Sequence, residues 1–364
     1  MLNNKIIISY GDQAREMVKE LLAEINIEKN LNKDDLIALK PNLIKAAKSE
    51  TGATTDPNLV KGIIEYLKEK GFLNIIIMEG SWVGADTENA FKKCGYNKIS
   101  KEYEIPMYNL QKDNFKVKNS EGMDIEIAQK ALEVDYLINL PVLKGHCQTT
   151  ITCSLKNLKG CISNKEKRRF HRRGLHKPIA ALNKVLSQDL IIVDGIYGDL
   201  DFEEGGNPVK MNRLIVGSDP VLIDSYAANL LGYSIEEIEY ITLAEKFGVG
   251  NSNIEQAEII EINKDKAAHI ENKTIKIKNL TEKVEAKEAC SACYGSLIHA
   301  LKRLNEKGEL DKIKGRIKIG QGYKNIDISG IGIGNCCLGA DNYVKGCPPS
   351  AKDILDFLRG EFIE

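Results

Sequence analysis

The segments DLIALK (residues 35–40) and NIIIM (residues 74–78) decide the fold, because each is an apolar run of strand length. Between them lies Asp56-Pro57, a dipeptide typical of a helix start, with Asp56 as the N-cap and Pro57 at the first helical position. The helix is expected to end at Gly71. A strand, a helix and a second strand in this order predict a parallel sheet covered by helices.

The same alternation continues on both sides of this unit. Further strands are predicted at 6–10, 136–140, 190–193 and 213–216, and further helices at 12–25, at 177–186 and after Asp219-Pro220. We therefore expect an α/β domain over residues 1–285, with a parallel or mixed sheet, helices on both faces and room for two subdomains. Five of the nine cysteines follow residue 286, so residues 286–364 are predicted to form a small C-terminal α+β cysteine-cluster domain. A β-rich connector at 256–285 precedes it.

Composition narrows the class of protein. The 364 residues are 43% apolar and 28% charged, as in ordinary globular proteins. The 51 Lys and Arg nearly balance the 52 Asp and Glu, so nucleic acid is an unlikely partner. No apolar run reaches the roughly 18 residues of a membrane span, and the N-terminus reads as a strand. We expect a cytoplasmic protein in which cysteines bind metal or are buried, and form no disulfides.

The C-terminal cysteines have the spacing of a metal site. Cys290 and Cys293 are separated by two residues, which lets two thiolates reach one metal centre, and a proline follows Cys347, as it often follows the last ligand of an iron–sulfur cluster. Cys336 and Cys337 point to opposite sides of an extended loop, so one ligand is expected there, and we prefer Cys336 because it directly follows a Gly-x turn. The sequence predicts one 4Fe–4S cluster on Cys290, Cys293, Cys336 and Cys347. A four-cysteine zinc site is the alternative.

A second cluster of polar residues follows the strand predicted at 136–140. The loop after this strand carries Lys144 and His146, and Lys156-Asn157 comes shortly afterwards. Ligand sites of open α/β sheets lie beyond the carboxyl ends of the strands. Lysine supplies a point charge and histidine a titratable donor, which together suit an anionic ligand.

Three more segments carry candidate site residues. Lys40 ends the strand at 35–40, Asn42 follows it, and both are predicted to bind the same anionic substrate or cofactor. Asp194 follows the strand at 190–193 in a glycine-rich segment, where it is a base, a metal ligand or part of a turn. The stretch 165–177 has seven Lys and Arg against one Glu. It is a solvated basic loop, a capture site for an anion, or a docking site for an acidic redox partner.

Several of these motifs, in this order, resemble the domain-of-unknown-function 362 family, over roughly residues 36–245. They are KPN (40–42), GATTDP (52–57), NLP (139–141), ITCSLKN (151–157) and VDG (193–195). The resemblance implies an α/β domain, often paired with an iron–sulfur module, with no settled reaction. The family has been linked to the fold of nickel-dependent lactate racemase, which implies a cofactor-using enzyme. Separately, GCPP (346–349) is similar to the cluster loop in small subunits of hydrogenases and respiratory complex I.

Two functional hypotheses follow. In the first, the protein is an iron–sulfur oxidoreductase or electron-transfer protein, in which the cluster exchanges electrons with chemistry in the α/β domain and with a redox partner protein. Lys144, His146 and Asp194 would be catalytic, with His146 as the proton donor. In the second, the α/β domain is a non-redox enzyme or binding module in which Asp194 and His146 have a metal-binding or base role, and the metal cluster is purely structural.

Overall fold

The structure is a computed structural model that describes residues 2, 4–200, 205, 207–268 and 280–362. Its strands are β1 (Lys5–Tyr10), β2 (Ile37–Pro41), β3 (Ile75–Glu79), β4 (Met107–Asn109), β5 (Phe115–Ser120), β6 (Met123–Ala128), β7 (Tyr136–Leu140), β8 (Lys144–His146), β9 (Thr150–Thr152), β10 (Leu190–Asp199), β11 (Pro208–Gly217), β12 (Glu258–Ile262), β13 (Val284–Ala286), β14 (Ile317–Ile319), β15 (Ile328–Ile333) and β16 (Ala340–Val344). Its α-helices are α1 (Ala14–Glu24), α2 (Pro57–Glu69), α3 (Thr87–Lys93), α4 (Tyr96–Tyr103), α5 (Gln129–Leu132), α6 (Ser154–Asn157), α7 (Asn164–Arg172), α8 (His176–Val185), α9 (Pro220–Leu230), α10 (Glu239–Lys246), α11 (Ser291–Glu306) and α12 (Ala351–Phe362).

The described residues divide into two compact units. The first comprises Met1–Lys167 and His176–Asn272, and the second comprises Arg168–Leu175 and Lys273–Glu364. The short basic segment 168–175 therefore clusters with the C-terminal unit. Of the predicted connector, β12 is an edge strand of the first unit's sheet, β13 belongs to the second unit's sheet, and residues 269–279 lie outside the described residues.

The first unit is built on an eight-stranded mixed sheet in the order β12-β1-β11-β10-β7-β2-β3-β4. The run from β10 to β4 is parallel, whereas β11 is antiparallel to both β10 and β1. Every residue of β2, β3 and β7 is buried, so both faces of this part of the sheet are covered. The prediction of an α/β fold with a parallel or mixed sheet is confirmed.

The helix start at Asp56-Pro57 is also confirmed. The Asp56 side chain accepts a hydrogen bond from the Asn58 amide (2.8 Å), and Pro57 is the first residue of α2. Asp219 caps α9 in the same way, through the amides of Val221 and Leu222. Two turn-to-helix junctions are therefore encoded by the same local chemistry.

The predicted end of the strand at 190–193 is wrong. β10 continues through Asp194 to Asp199, because β11 pairs with it antiparallel over this length, with a bulge between Gly195 and Tyr197. Asp194 thus lies within a strand and not in a glycine-rich turn. The basic stretch is likewise not a loop, since α7 covers most of it.

The C-terminal unit is a smaller α/β arrangement. Its four strands, in the order β13-β14-β15-β16, are all parallel. The helices α11 and α12 pack against each other, and their buried residues include Leu297, Leu301 and Leu358. Because the strands are parallel, their carboxyl ends all lie at one edge of this sheet.

Candidate functional site

In the first unit, polar side chains from separate segments meet at the carboxyl ends of β2 and β7. Lys144 Nζ donates to Asn42 Oδ1 (2.8 Å) and to the carbonyl oxygen of Ala53 (2.7 Å). Asn42 Nδ2 donates to Asn157 Oδ1 (2.6 Å), and Asn157 Nδ2 donates to Asn139 Oδ1 (2.7 Å). We call Lys144, Asn42, Asn157 and Asn139 the carboxyl-end network. It unites three of the predicted site residues.

Lys40 lies beside this network in a buried ion pair that the sequence did not indicate. Its Nζ is 3.0 Å from Glu79 Oε2, and both side chains are almost fully buried. Glu79 also accepts hydrogen bonds from the amides of Leu43 (3.1 Å) and Gly80 (2.7 Å). Its position as the last, charged residue of an apolar strand was the one signal in the sequence.

A second buried lysine approaches the same ion pair. Lys167 Nζ donates to the carbonyl oxygens of Gly80 (3.0 Å) and Ser81 (2.7 Å). Burial lowers the pKa of Lys167 to about 8, against the opposing attraction of Glu79. Two lysines and one glutamate therefore share one buried region at the end of β3.

His146 lies on the hairpin formed by β8 and β9. Its Nδ1 accepts hydrogen bonds from the amides of Gln148 and Thr149, both at 3.0 Å. An accepting Nδ1 leaves the proton of the neutral ring on Nε2, so the tautomer is fixed. On the following segment, Lys156 Nζ donates to Thr152 Oγ1 (3.0 Å).

Asp194 is the fully buried carboxyl group of the site. It accepts hydrogen bonds from the amides of Asp56 (2.8 Å) and Ile196 (3.1 Å). Burial first, and then the charge of Asp56, raise the pKa of Asp194 to about 7. Its backbone pairs with Val142, two residues before Lys144.

Asp194 and Lys144 hold the same loop. Lys144 bonds to the carbonyl oxygen of Ala53, and Asp194 bonds to the amide of Asp56, so the loop before α2 is fixed at both of its ends. Lys144 and Lys40 are fully buried. An oxyanion would therefore reach these ammonium groups only by replacing some of their internal hydrogen bonds. The predicted catalytic and binding roles stay predictions for all seven residues: Lys40, Asn42, Lys144, His146, Lys156, Asn157 and Asp194.

In the C-terminal unit, the cysteines lie in the loops at the carboxyl edge of the small sheet. Cys290 follows β13 and is the residue immediately before α11, and Cys293 is in the first turn of that helix. Cys336 lies in the turn between β15 and β16, and Cys347 follows β16. We call Cys290, Cys293, Cys336 and Cys347 the cysteine centre. Ligand sites of open α/β sheets are found at this edge.

Direct contacts bring these loops together. The amide of Asn335 donates to the carbonyl oxygen of Gly346 (2.9 Å), and the amide of Gly346 donates to Asn335 Oδ1 (2.8 Å). A side-chain carbon at Gly334 would lie 3.7 Å from Cys293 Sγ, so this loop also passes beside α11. Burial is the largest cause of the raised pKa of Cys293. The charges of the other thiols raise it further, and the effects of Cys290 and Cys347 are larger than those of Cys336 and Cys337.

Cys336 and Cys337 have different surroundings. Cys337 is fully buried, and its thiol donates to the carbonyl oxygen of Lys318 (3.5 Å). Cys336 is partly exposed. Its pKa is raised mainly by burial and secondly by the charge of Cys347. Over the described ranges, no group of three or more Cys, His, Asp or Glu side chains already has the arrangement of a metal site.

The remaining cysteines lie apart from the cysteine centre in the sequence, and most are buried. Cys94, Cys153 and Cys161 are buried, and burial raises the pKa of each thiol, that of Cys161 to about 12. Protonated thiols of this kind behave as small apolar side chains. Cys147 is partly exposed.

The fold and its polar carboxyl edge define an α/β protein. The chain belongs to the family described as domain of unknown function DUF362, which it matches over residues 37–229, just over half of its length. It is similar to the thylakoid-associated protein sll1697 of Synechocystis sp. (strain ATCC 27184 / PCC 6803 / Kazusa), with 25% identity over 229 residues, 59% of this chain and 68% of that protein.

A solved structure with a partial likeness is the lactate racemase apoprotein from Thermoanaerobacterium thermosaccharolyticum. The TM-score is 0.40 at 17% identity, and the match covers 64% of this chain and 57% of that one. Within the part of the chain that the structure describes, helices that combine the length and the apolar character of a membrane span are absent.

Proposed function

We propose that the α/β unit is an enzyme unit that binds a small anionic substrate at the carboxyl ends of β2, β7 and β10 and transfers a proton there. One observation carries this proposal. A buried carboxyl group with a pKa of about 7, Asp194, and a buried ammonium group, Lys144, hold the two ends of one loop. A group that titrates near neutral pH is suited to accept or donate a proton in catalysis.

The other predicted residues have matching roles in this proposal. His146 in its neutral form has its N–H on Nε2, so it would donate a hydrogen bond to the substrate, while ionised Asp194 would accept the proton. Lys144 and Lys156 supply the positive charge for the substrate anion. All seven predicted positions of the α/β unit lie within the family match at residues 37–229.

Ligand binding tests this proposal directly. Small carboxylates and phosphates are screened by thermal shift and then by calorimetry, with the wild-type protein and the Lys144→Met and His146→Gln variants. We expect one class of anion to stabilise the wild type and Lys144→Met to lose that effect. Lys92→Met, an exposed lysine on α3, is the matched control and should retain it. If no anion of either class binds the wild type, the proposal is wrong.

We propose further that the C-terminal unit binds one 4Fe–4S cluster through Cys290, Cys293, Cys336 and Cys347. The fit rests on four thiols in three loops at the carboxyl edge of a parallel sheet, with two of the loops joined by Asn335 and Gly346. Four thiolates are the usual ligands of such a cluster, which supplies one-electron transfer when bound. The burial and bonding of Cys337 favour Cys336 as the third ligand.

The role of the cluster distinguishes two functions. In the first candidate function, the α/β unit, which contains the family match, is an enzyme whose own side chains do the chemistry, and the cluster stabilises the C-terminal unit. The second candidate is electron transfer with a redox partner protein, which the exposure of Cys347 favours. Absorbance near 400 nm that bleaches with dithionite, together with loss of activity in Cys347→Ala, supports electron transfer. Intact activity with lower stability in that variant supports the structural role.

A further inference from the structure

The side chain of Gln321 connects the cysteine centre to the basic segment 168–175. Gln321 begins the turn after β14, and its Nε2 lies 3.6 Å from Cys290 Sγ and 3.4 Å from the carbonyl oxygens of both Glu288 and Arg168. All of these residues belong to the C-terminal unit. One amide group therefore faces a proposed cluster ligand and the backbone of a segment that comes far earlier in the chain.

The backbone fixes this position. Gly320 has a φ of +121°, and a side-chain carbon there would lie 2.0 Å from the carbonyl oxygen of Lys287. Only glycine allows the turn to pass so close to the segment that leads to Cys290. The backbone amide of Gln321 also donates to the carbonyl oxygen of Glu288 (3.2 Å).

Positive charge lies at the same edge. Arg168 and Lys324 are both exposed, and Lys324 follows the turn that Gln321 begins. The carbonyl oxygen of Arg168 lies 3.4 Å from Gln321 Nε2, and Cys290 Sγ lies 3.6 Å from the same nitrogen, so the backbone of Arg168 is close to a proposed ligand. A hydrogen-bond donor, Gln321, and a cationic residue, Arg168, thus lie near the same proposed ligand, Cys290.

We infer that Gln321 and Arg168 are positioning residues that raise the reduction potential of the cluster bound at the cysteine centre. An N–H group directed at a ligand sulfur and a nearby cation both stabilise the more negative, reduced form. The inference rests on the proposed cluster. Part of the control of the cluster's reduction potential would then come from the segment 168–175, which lies outside the cysteine-rich sequence.

Equilibrium redox titration of the anaerobically reconstituted full chain tests the inference. We expect Gln321→Leu and Arg168→Gln each to move the midpoint potential to a more negative value, and the double variant to move it further than either. Lys307→Gln is the charge-matched control. Lys307 is exposed at the far end of α11, about 26 Å along the helix from Cys290 for a rise of ~1.5 Å per residue, and its variant should not move the midpoint.

A structural role alone gives a different result. An unchanged midpoint in Gln321→Leu, with only a lower melting temperature, would overturn the inference. If Gln321→Leu does not take up iron, Gln321→Glu keeps the side-chain length, removes the N–H donors and adds a negative charge, so its midpoint should be lower still. A wild-type protein without iron and sulfide would overturn the proposed cluster itself, which separates the two failures.

Discussion

Asn335 and Gly346 exchange two hydrogen bonds, one from each amide, at 2.9 and 2.8 Å. They are neighbours in sequence of Cys336 and Cys347. The pair therefore fixes the distance between two loops whose cysteines are separated along the chain by the whole of β16.

The Asn335→Ala variant is expected to hold iron less tightly than the wild type. It removes the side-chain oxygen that accepts from Gly346 and leaves the backbone bond in place, at a cost of about 1 kcal/mol. Iron release to a chelator measures the effect, and Asn305→Ala, at the exposed end of α11, is the control. Equal release from Asn335→Ala and the wild type would show that the two loops do not depend on this pair.

The adjacent cysteines should behave differently. We expect Cys336→Ala to lose iron and sulfide, because it removes a ligand. Cys337→Ala should keep both and lose about 1 kcal/mol of stability from its buried position. Iron and sulfide analysis with denaturant unfolding distinguishes them, and the reverse pattern would assign the ligand to Cys337.

Asp194 should make stability depend on pH. Its pKa in the folded protein is about 7, against roughly 3.9 in the unfolded chain, so the protonated carboxyl group stabilises the fold. This contribution is complete below about pH 4 and is lost as the pH rises to about 7, by on the order of 4 kcal/mol. Asp194→Asn should lack this dependence. Urea unfolding at intervals across this range measures it, and a constant difference between the two proteins would contradict the assignment.

The Lys40–Glu79 pair should be sensitive to loss of one partner. Glu79→Gln leaves the Lys40 ammonium group buried without its counter-charge, which should cost about 3–5 kcal/mol. Replacing both, as Lys40→Met with Glu79→Leu, should recover much of that loss. A double variant as unstable as Glu79→Gln would mean that lost hydrogen bonds to Leu43 and Gly80 dominate, and not the unpaired charge.

Local chemistry predicted much of this architecture. The Asp-Pro dipeptides encode two helix starts, and apolar runs encode the buried strands. The rule that sites lie at the carboxyl ends of strands led to Lys144, Asn42 and Asn157, which the fold brings into hydrogen-bonding contact. Their approach depends on the parallel order of β2 and β7, which the alternation of elements already indicated.

Features that depend on pairing between distant segments were missed. Asp194 lies within β10 because β11 pairs with it, and nothing in the local sequence reports that partner. The buried ion pair of Glu79 was missed because its counter-charge, Lys40, lies on another strand. The clustering of Arg168 with the C-terminal unit follows in the same way from tertiary contacts.

Iron and acid-labile sulfide analysis of the anaerobically purified chain tests the central claim most directly. The cysteine centre predicts about four iron and four sulfide per chain, with absorbance near 400 nm, and loss of both in Cys347→Ala. About one zinc per chain and no sulfide would contradict it, and would assign the same thiols to a zinc site.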